Sequence, residues 1–84
     1  MAEQHMRIEL YGVLREAAGA AELELEVTTP LAVETLLDEL TGQCPALAPH
    51  LPRVAVAVGD ALVPRDHTLD GSGSLAILPP VSGG

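Results

Sequence analysis

The feature that most constrains the fold is a pair of segments in which polar and apolar residues alternate with a period of two. Residues 7–11 place two aliphatic side chains on one side of an extended chain, and residues 22–27 oppose three aliphatic side chains to three glutamates. Strands that bury one face have this period. A turn near Gly19, where glycine tolerates a positive φ, would join them as an antiparallel hairpin. Residues 14–18 could alternatively form a helical turn.

The next segment has the helical period instead. From residue 31 to about residue 40 the apolar residues recur at the spacing of one helix face, and the stripe consists of Val33, Leu36, Leu37 and Leu40. Pro30 suits the first position of a helix, and Gly42 suits the residue just past its end. Residues 44–52 contain three prolines and are expected to form a loop.

Three further apolar segments come after that loop, at residues 54–58, 61–63 and 75–78, with a predicted turn at residues 66–70. The last segment is an unbroken apolar run, which is typical of a central, covered strand. The order of elements predicts an α+β fold in which one main helix packs across a mixed sheet of four to five strands. We expect a flexible start at residues 1–5, a domain at residues 6–79 and an extended tail at residues 80–84.

Composition narrows the functional classes. With 84 residues the chain has room for one small domain, and its core must be aliphatic because Tyr11 is the only aromatic residue. A net charge of −8 disfavours a nucleic-acid partner, because binding phosphates requires lysine and arginine. The first residues lack a signal-peptide pattern, and no apolar run is long enough to cross a bilayer. We therefore expect a cytoplasmic protein without a membrane partner.

The sequence does not predict a self-contained enzyme site. His5, His50 and His67 lack the spacing of a metal site, so no metal is predicted. Asp66 and His67 lie near two serines, but no nucleophile-elbow motif accompanies them, and we interpret them as turn residues rather than as part of a triad. Cys44 is the only cysteine, which excludes an intramolecular disulfide and favours a small, partly buried core residue.

The end of the sequence carries the group that is the best candidate for a chemical reaction. Pro79 and Pro80 cannot donate ladder hydrogen bonds, so they should end the last strand and set the direction of the residues after them. Those residues are Val81, Ser82, Gly83 and Gly84. The two glycines have no Cβ and therefore fit a channel too narrow for side chains. The pattern predicts a slim α-carboxylate held away from the domain.

Three stretches carry a resemblance to a known family: residues 79–84, residues 11–19 and residues 63–69. They resemble the terminus, the end of the first strand with its turn, and the segment before the last strand of the molybdopterin synthase small subunit, the MoaD family of ubiquitin-like sulfur carriers. The resemblance implies a β-grasp (ubiquitin-like) fold and a role in molybdenum cofactor biosynthesis. The sequence departs from the family at residues 71–74, which replace an acidic connector, and at Ser82, where threonine is common.

The resemblance also implies the site and the partners. A ubiquitin-activating-type adenylating enzyme would use ATP to activate Gly84, which sulfide transfer would convert to a thiocarboxylate, and this chain would bind no cofactor itself. Residues 79–84 would insert into the active site of the molybdopterin synthase large subunit and donate sulfur to the pterin precursor. An apolar patch formed by Tyr11, Leu62, Val63 and Leu78 would contact the partners, although Val63 and Leu78 could instead be core residues.

Three other functions stay open at this point. The chain could carry sulfur for thiamine, cysteine or tRNA thiolation; it could be a protein modifier whose Gly84 is joined to lysines of targets; or it could be an acidic binding module with an inert tail. The sequence contains no lysine, so as a modifier it could not build chains of itself through side-chain amines.

Overall fold

The computed structural model of the protein describes residues 2–71 and 74–79. Within these residues the strands are β1 (Ala2–Leu10), β2 (Glu22–Thr29), β3 (Leu31–Ala32), β4 (Ala55–Val58), β5 (Ala61–Val63), β6 (Thr68–Leu69) and β7 (Leu75–Leu78). The helices are α1 (Val13–Ala18) and α2 (Val33–Gln43). Two short 3-10 turns, Pro45–Leu47 and Leu51–Arg53, connect α2 to β4.

Five of the described strands form one mixed sheet in the order β2-β1-β7-β4-β5, and β3 pairs with β6 apart from it. The antiparallel pairing of β1 with β2 confirms the predicted hairpin. β7 lies between β1, to which it is parallel, and β4, to which it is antiparallel. The last strand is therefore central, as its unbroken apolar run predicts. A five-stranded mixed sheet with one main helix confirms the predicted α+β architecture.

The core lies between the sheet and α2. All four residues of the predicted helix stripe are buried. They belong to one aliphatic cluster with residues of β1 and β7, in which Ile8 and Ile77 are completely buried. Because the sequence has no phenylalanine or tryptophan and Tyr11 is exposed, this cluster consists of leucine, valine, isoleucine and one methionine.

The connection between β1 and β2 contains α1, which confirms the alternative prediction of a helical turn there. Gly19 ends this helix with a φ of 74°, and its amide donates to the Arg15 carbonyl oxygen at 2.9 Å. The positive φ expected at Gly19 is thus confirmed. Neither described helix is long and apolar enough to span a membrane.

The first strand begins at Ala2, which corrects the predicted domain start at residue 6. Residues 2–5 pair with β2 through their backbones, with Gln4 opposite Val27 and Ala2 opposite Thr29. The Gln4 side chain also donates to Thr29 Oγ1 at 3.3 Å, and Thr29 Oγ1 donates to the Ala2 carbonyl oxygen at 3.2 Å. Residues 3–5 are polar and residues 2–5 are mostly exposed, so their pairing depends on backbone hydrogen bonds that an alternation pattern does not reveal.

The long helix begins at Val33 rather than at residue 31, because the two preceding residues form β3 and pair with β6. The predicted turn at residues 66–70 therefore contains a short strand. No side chain caps the start of α2. Instead, the amides of Val33 and Glu34 donate to the carbonyl oxygens of His67 and Arg65, each at 2.9 Å. A neighbouring loop thus satisfies the amides that a helix start leaves unpaired.

Candidate functional site

One face of the five-stranded sheet packs against α2 and the other faces away from it. Side chains alternate between the two faces of a strand. In β7 the buried Leu75 and Ile77 alternate with the half-buried Ala76 and Leu78, and β1 and β2 have the same alternation. We call the side that carries Ala76 and Leu78 the open face.

An apolar strip crosses the open face from its edge to its centre. Leu62 in β5 lies opposite Ala57 in β4, and Ala57 in turn lies opposite Ala76 in β7. Leu78 lies opposite Ala55 at the next open-face position. Leu62 is 68% exposed, so a large aliphatic side chain lies at the sheet edge, next to the small side chains of Ala57 and Ala76. Such a strip suits contact with another protein.

Tyr11 extends this apolar strip at the end of β1. The parallel register pairs Leu10 with Ile77, so its continuation places Tyr11 beside Leu78. The Tyr11 ring is 39% exposed and its hydroxyl donates to Glu9 Oε2 at 3.4 Å. The Arg15 guanidinium carbon lies 6.0 Å from the ring centroid, at the outer limit of a cation–π contact. These contacts hold the ring at the surface, where it can meet a partner.

The open face brings together three of the four residues predicted to contact partners, Tyr11, Leu62 and Leu78. Val63 is the exception, because consecutive residues of a strand point to opposite faces. It lies opposite Val56 and packs against the core cluster. Val63 therefore belongs to the core side of the sheet and not to the predicted patch, in agreement with the alternative interpretation.

The other half of the open face, on β1 and β2, is charged and mainly acidic. His5 Nε2 lies 3.3 Å from Glu26 Oε2, and Arg7 Nε lies 3.8 Å from Glu22 Oε1. All four side chains are at least half exposed, so these pairs contribute little to stability. Glu24 adds a further exposed carboxylate on β2. A partner that covers both halves would therefore present an apolar area beside a basic one.

The start of the predicted tail lies beside Tyr11. β7 ends at Leu78, and the half-buried Pro79 comes directly after it. A Cβ on Gly12 would lie 3.0 Å from Pro79 Cγ, so the absence of a side chain at Gly12 makes room for the proline ring. The other predicted tail residues, Pro80, Val81, Ser82, Gly83 and Gly84, lie outside the described residues.

Gly12 is the residue of this region that the sequence analysis missed. Its φ of 58° and ψ of −132° form a conformation that glycine adopts without strain and other L-residues do not. The available signal was weak, because a glycine just after a strand usually marks only a turn. Its contact with a proline near the other end of the sequence is visible only in the fold.

Two of the remaining candidate residues, His67 and Cys44, have the contacts of a turn residue and a core residue. No group of three or more histidine, cysteine or carboxylate side chains in residues 2–71 and 74–79 is arranged to hold a metal ion. The His67 amide donates to the Pro64 carbonyl oxygen at 3.1 Å, as in a turn. Cys44 is half-buried and packs against the core cluster, as the sequence predicted.

Most of this chain matches a known protein family. The model of the ThiS family matches residues 8–84. The molybdopterin synthase sulfur carrier subunit of Mycobacterium tuberculosis is 33% identical over 75 residues, which cover 88% of this chain and 90% of that protein.

Solved structures have the same fold. The crystal structure of small archaeal modifier protein 1 from Haloferax volcanii has a TM-score of 0.81 and 27% identity, and covers 95% of this chain and 99% of that one. The solution structure of its namesake from Methanosarcina acetivorans has a TM-score of 0.77 and 26% identity over the full length of both chains. Together with the sheet order, these structures confirm the predicted β-grasp (ubiquitin-like) fold.

Proposed function

The chain belongs to the ThiS family, and on that premise we propose that it is a ubiquitin-like sulfur carrier whose Gly84 carboxylate is converted to a thiocarboxylate. The observation that carries the proposal is the family match over residues 8–84, which includes the Gly83-Gly84 pair. The fold is consistent with this role, because the strand that leads into Pro79 is held at the centre of the sheet.

The chemistry requires activation from outside the chain. A carboxylate is a poor acyl donor because oxide would have to leave. Attack of a Gly84 carboxylate oxygen on the α-phosphorus of ATP expels pyrophosphate and leaves an acyl-adenylate. Hydrosulfide then attacks the acyl carbon, the bond to AMP breaks, and the thiocarboxylate remains. The thiocarboxylate sulfur then attacks an acceptor carbon and displaces an oxygen group from it. Water cleaves the acyl C–S bond, which leaves the sulfur on the acceptor and restores the Gly84 carboxylate. ATP would be bound by an adenylating enzyme of the ubiquitin-activating type.

The acceptor that we propose is a pterin precursor held by the large subunit of molybdopterin synthase. The support is the relative from Mycobacterium tuberculosis, which is named as the sulfur carrier subunit of that enzyme. The tail from Pro79 to Gly84 would enter the large subunit, and the two sulfurs of the molybdenum-binding dithiolene would come from such carriers. Transfer of sulfur to a thiamine, cysteine or tRNA pathway is the nearest alternative within the same chemistry.

The folded domain would serve recognition in this scheme. Tyr11, Leu62 and Leu78 supply the apolar contact, since interfaces are enriched in exposed aromatic and aliphatic anchors. The carboxylates on β1 and β2 would steer the carrier to a basic surface on each partner, because long-range attraction raises the association rate.

A second candidate function is protein modification. It is favoured by the likeness to the small archaeal modifier proteins, at 27% and 26% identity over nearly the whole chain. In that case a lysine amine of a target would attack the activated Gly84 carbonyl and form an isopeptide bond. This chain contains no lysine, so a copy attached to a target offers no side-chain amine to a second copy. Each modified target lysine would therefore carry one copy, unless a second copy is joined to the α-amine of the first.

Mass spectrometry of the intact protein tests the proposal. After incubation with an adenylating enzyme of the ThiS-partner type, ATP and sulfide, the mass should increase by the difference between sulfur and oxygen. A variant lacking Gly84 should keep its mass. If the wild-type mass does not change while the enzyme consumes ATP on a known carrier, the sulfur-carrier function is wrong. Target-linked species of higher mass in cell extracts, lost on deletion of Gly84, would favour the modifier instead.

A further inference from the structure

The contact between Gly12 and Pro79 joins two places that are far apart in the sequence. β1 and β7 run parallel and are paired up to Leu10 and Ile77, so both strands leave the sheet at the same end. The chain after β1 turns at once into α1, with the Arg15 amide donating to the Gly12 carbonyl oxygen at 3.1 Å. Pro79, the first residue after β7, lies against this turn.

A side chain at position 12 would occupy the space that Pro79 now uses. The Cβ would lie 3.0 Å from Pro79 Cγ and 3.9 Å from Cδ, and the first of these distances is closer than ordinary contact allows. Pro79 would have to give way by a few tenths of an ångström, either by changing the pucker of its ring or by shifting its backbone, whose φ the ring restricts. A shift of the Pro79 backbone would change the direction of the chain at that residue.

We propose that Gly12 is a positioning residue for the tail: its missing side chain lets Pro79 lie against the turn after β1 and so sets the direction of the chain at Pro79, the first residue of the predicted tail. The inference rests on the proposed function, because direction matters only if the tail must enter a partner's active site while the open face is docked. The docked open face and the direction of the chain at Pro79 would together determine where Gly84 lies relative to the reacting group. Misplacement by about 1 Å can cost up to a hundredfold in rate.

The experiment compares Gly12→Ala with Gly19→Ala in the conversion of Gly84 by adenylating enzyme, ATP and sulfide. Both glycines flank α1 and both have a positive φ, 58° and 74°, but a Cβ on Gly19 meets no atom within 4 Å. We expect Gly12→Ala to lower kcat/KM by about tenfold or more, mainly through kcat, since the docking face is unchanged. Gly19→Ala should stay close to the wild type at a temperature where both variants are folded.

Two further measurements separate tail direction from backbone strain. In a Pro79→Ala background the Gly12→Ala change should cost less than in the wild type, because the ring that it displaces is gone. An equal cost in both backgrounds would mean that strain alone acts, and would overturn the inference. In the wild-type protein, nuclear Overhauser contacts between the Gly12 Hα and Pro79 Hγ protons should be present. Their absence would overturn it even if Gly12→Ala does not fold.

The outcomes also distinguish this inference from the proposed function. If the wild-type protein forms a thiocarboxylate and Gly12→Ala forms it as fast as Gly19→Ala does, the positioning role is wrong and the sulfur-carrier function stands. If the wild-type protein never forms a thiocarboxylate, the proposed function fails, whatever the nuclear Overhauser contacts reveal about Pro79.

Discussion

Replacing Arg65 with methionine should destabilise the domain far more than the same change at Arg7. Arg65 lies in the connection between β5 and β6, and its Nη2 donates to the carbonyl oxygens of Leu51 at 2.8 Å and Val54 at 3.2 Å. These bonds fasten the connection to the segment before β4. Methionine keeps most of the aliphatic stem and removes the donors.

The connection that Arg65 fastens also completes the start of α2. The carbonyl oxygens of Arg65 and His67 accept from the amides of Glu34 and Val33, and no side chain caps this helix. Loosening the connection should therefore expose the first turn of α2 as well. A local loss of hydrogen bonds then becomes a loss of helix stability.

The magnitude can be worked out from the two bonds. Hydrogen bonds to charged groups contribute about 1.5–3 kcal/mol each, and partial exposure of Arg65 reduces this, so we expect about 2 kcal/mol for the pair. For a domain of this size about 1 kcal/mol corresponds to 4–8 °C, which gives a decrease in Tm of roughly 8–16 °C. The Arg7 guanidinium only approaches Glu22 at 3.8 Å on the surface. Arg7→Met should therefore cost less than about 1 kcal/mol.

Thermal and urea unfolding of both variants, monitored by circular dichroism, measure the difference. Each variant loses one positive charge, so the change in overall repulsion is matched. Hydrogen exchange should also become faster at the Val33 and Glu34 amides in Arg65→Met and not in Arg7→Met. Equal unfolding temperatures for the two variants, or unchanged exchange at these amides, would refute the reasoning.

Three further predictions concern the core, the open face and the tail. Ile77→Val shortens a completely buried side chain of the central strand and should cost about 0.5–1.5 kcal/mol in urea unfolding; an unchanged midpoint would contradict the packing described. Leu62→Ser should weaken binding to the large subunit or adenylating enzyme by about 1–2 kcal/mol in calorimetry. Val13→Ser changes an exposed residue outside the apolar strip and should not weaken binding. Equal effects of the two changes would mean that the strip is not part of the interface. A few residues added after Gly84 should abolish the mass increase that marks the thiocarboxylate, and an undiminished increase would show that a free Gly84 carboxylate is not needed.

Much of the architecture could be predicted from periodicity. The glutamates of β2 alternate with residues that enter the core, so the hairpin and its buried face can be read from the pattern. The four-residue stripe of α2 is buried in full, and the unbroken apolar run of β7 occupies the centre of the sheet. In each of these segments burial decides the structure, and burial is what hydrophobic patterns report.

The parts that the sequence did not predict depend on pairing between distant backbones. Residues 2–5 have no apolar alternation and extend β1 because β2 is long enough to pair with them. Val63 belongs to a strand too short to have a period, and its face is set by its partner Val56. The contact of Gly12 with Pro79 exists only after β1 and β7 have become neighbours. These three features depend on how two distant segments align with each other, so the sequence of either segment alone cannot predict them.

The central place of β7 has a mechanical consequence. A partner that pulls on the tail loads β7 along its length, and the ladders to β1 and β4 both resist in shear, so several hydrogen bonds must break together. A tail attached to an edge strand would load only one such ladder. We therefore expect the domain to withstand repeated insertion and extraction of its tail without unravelling from that end.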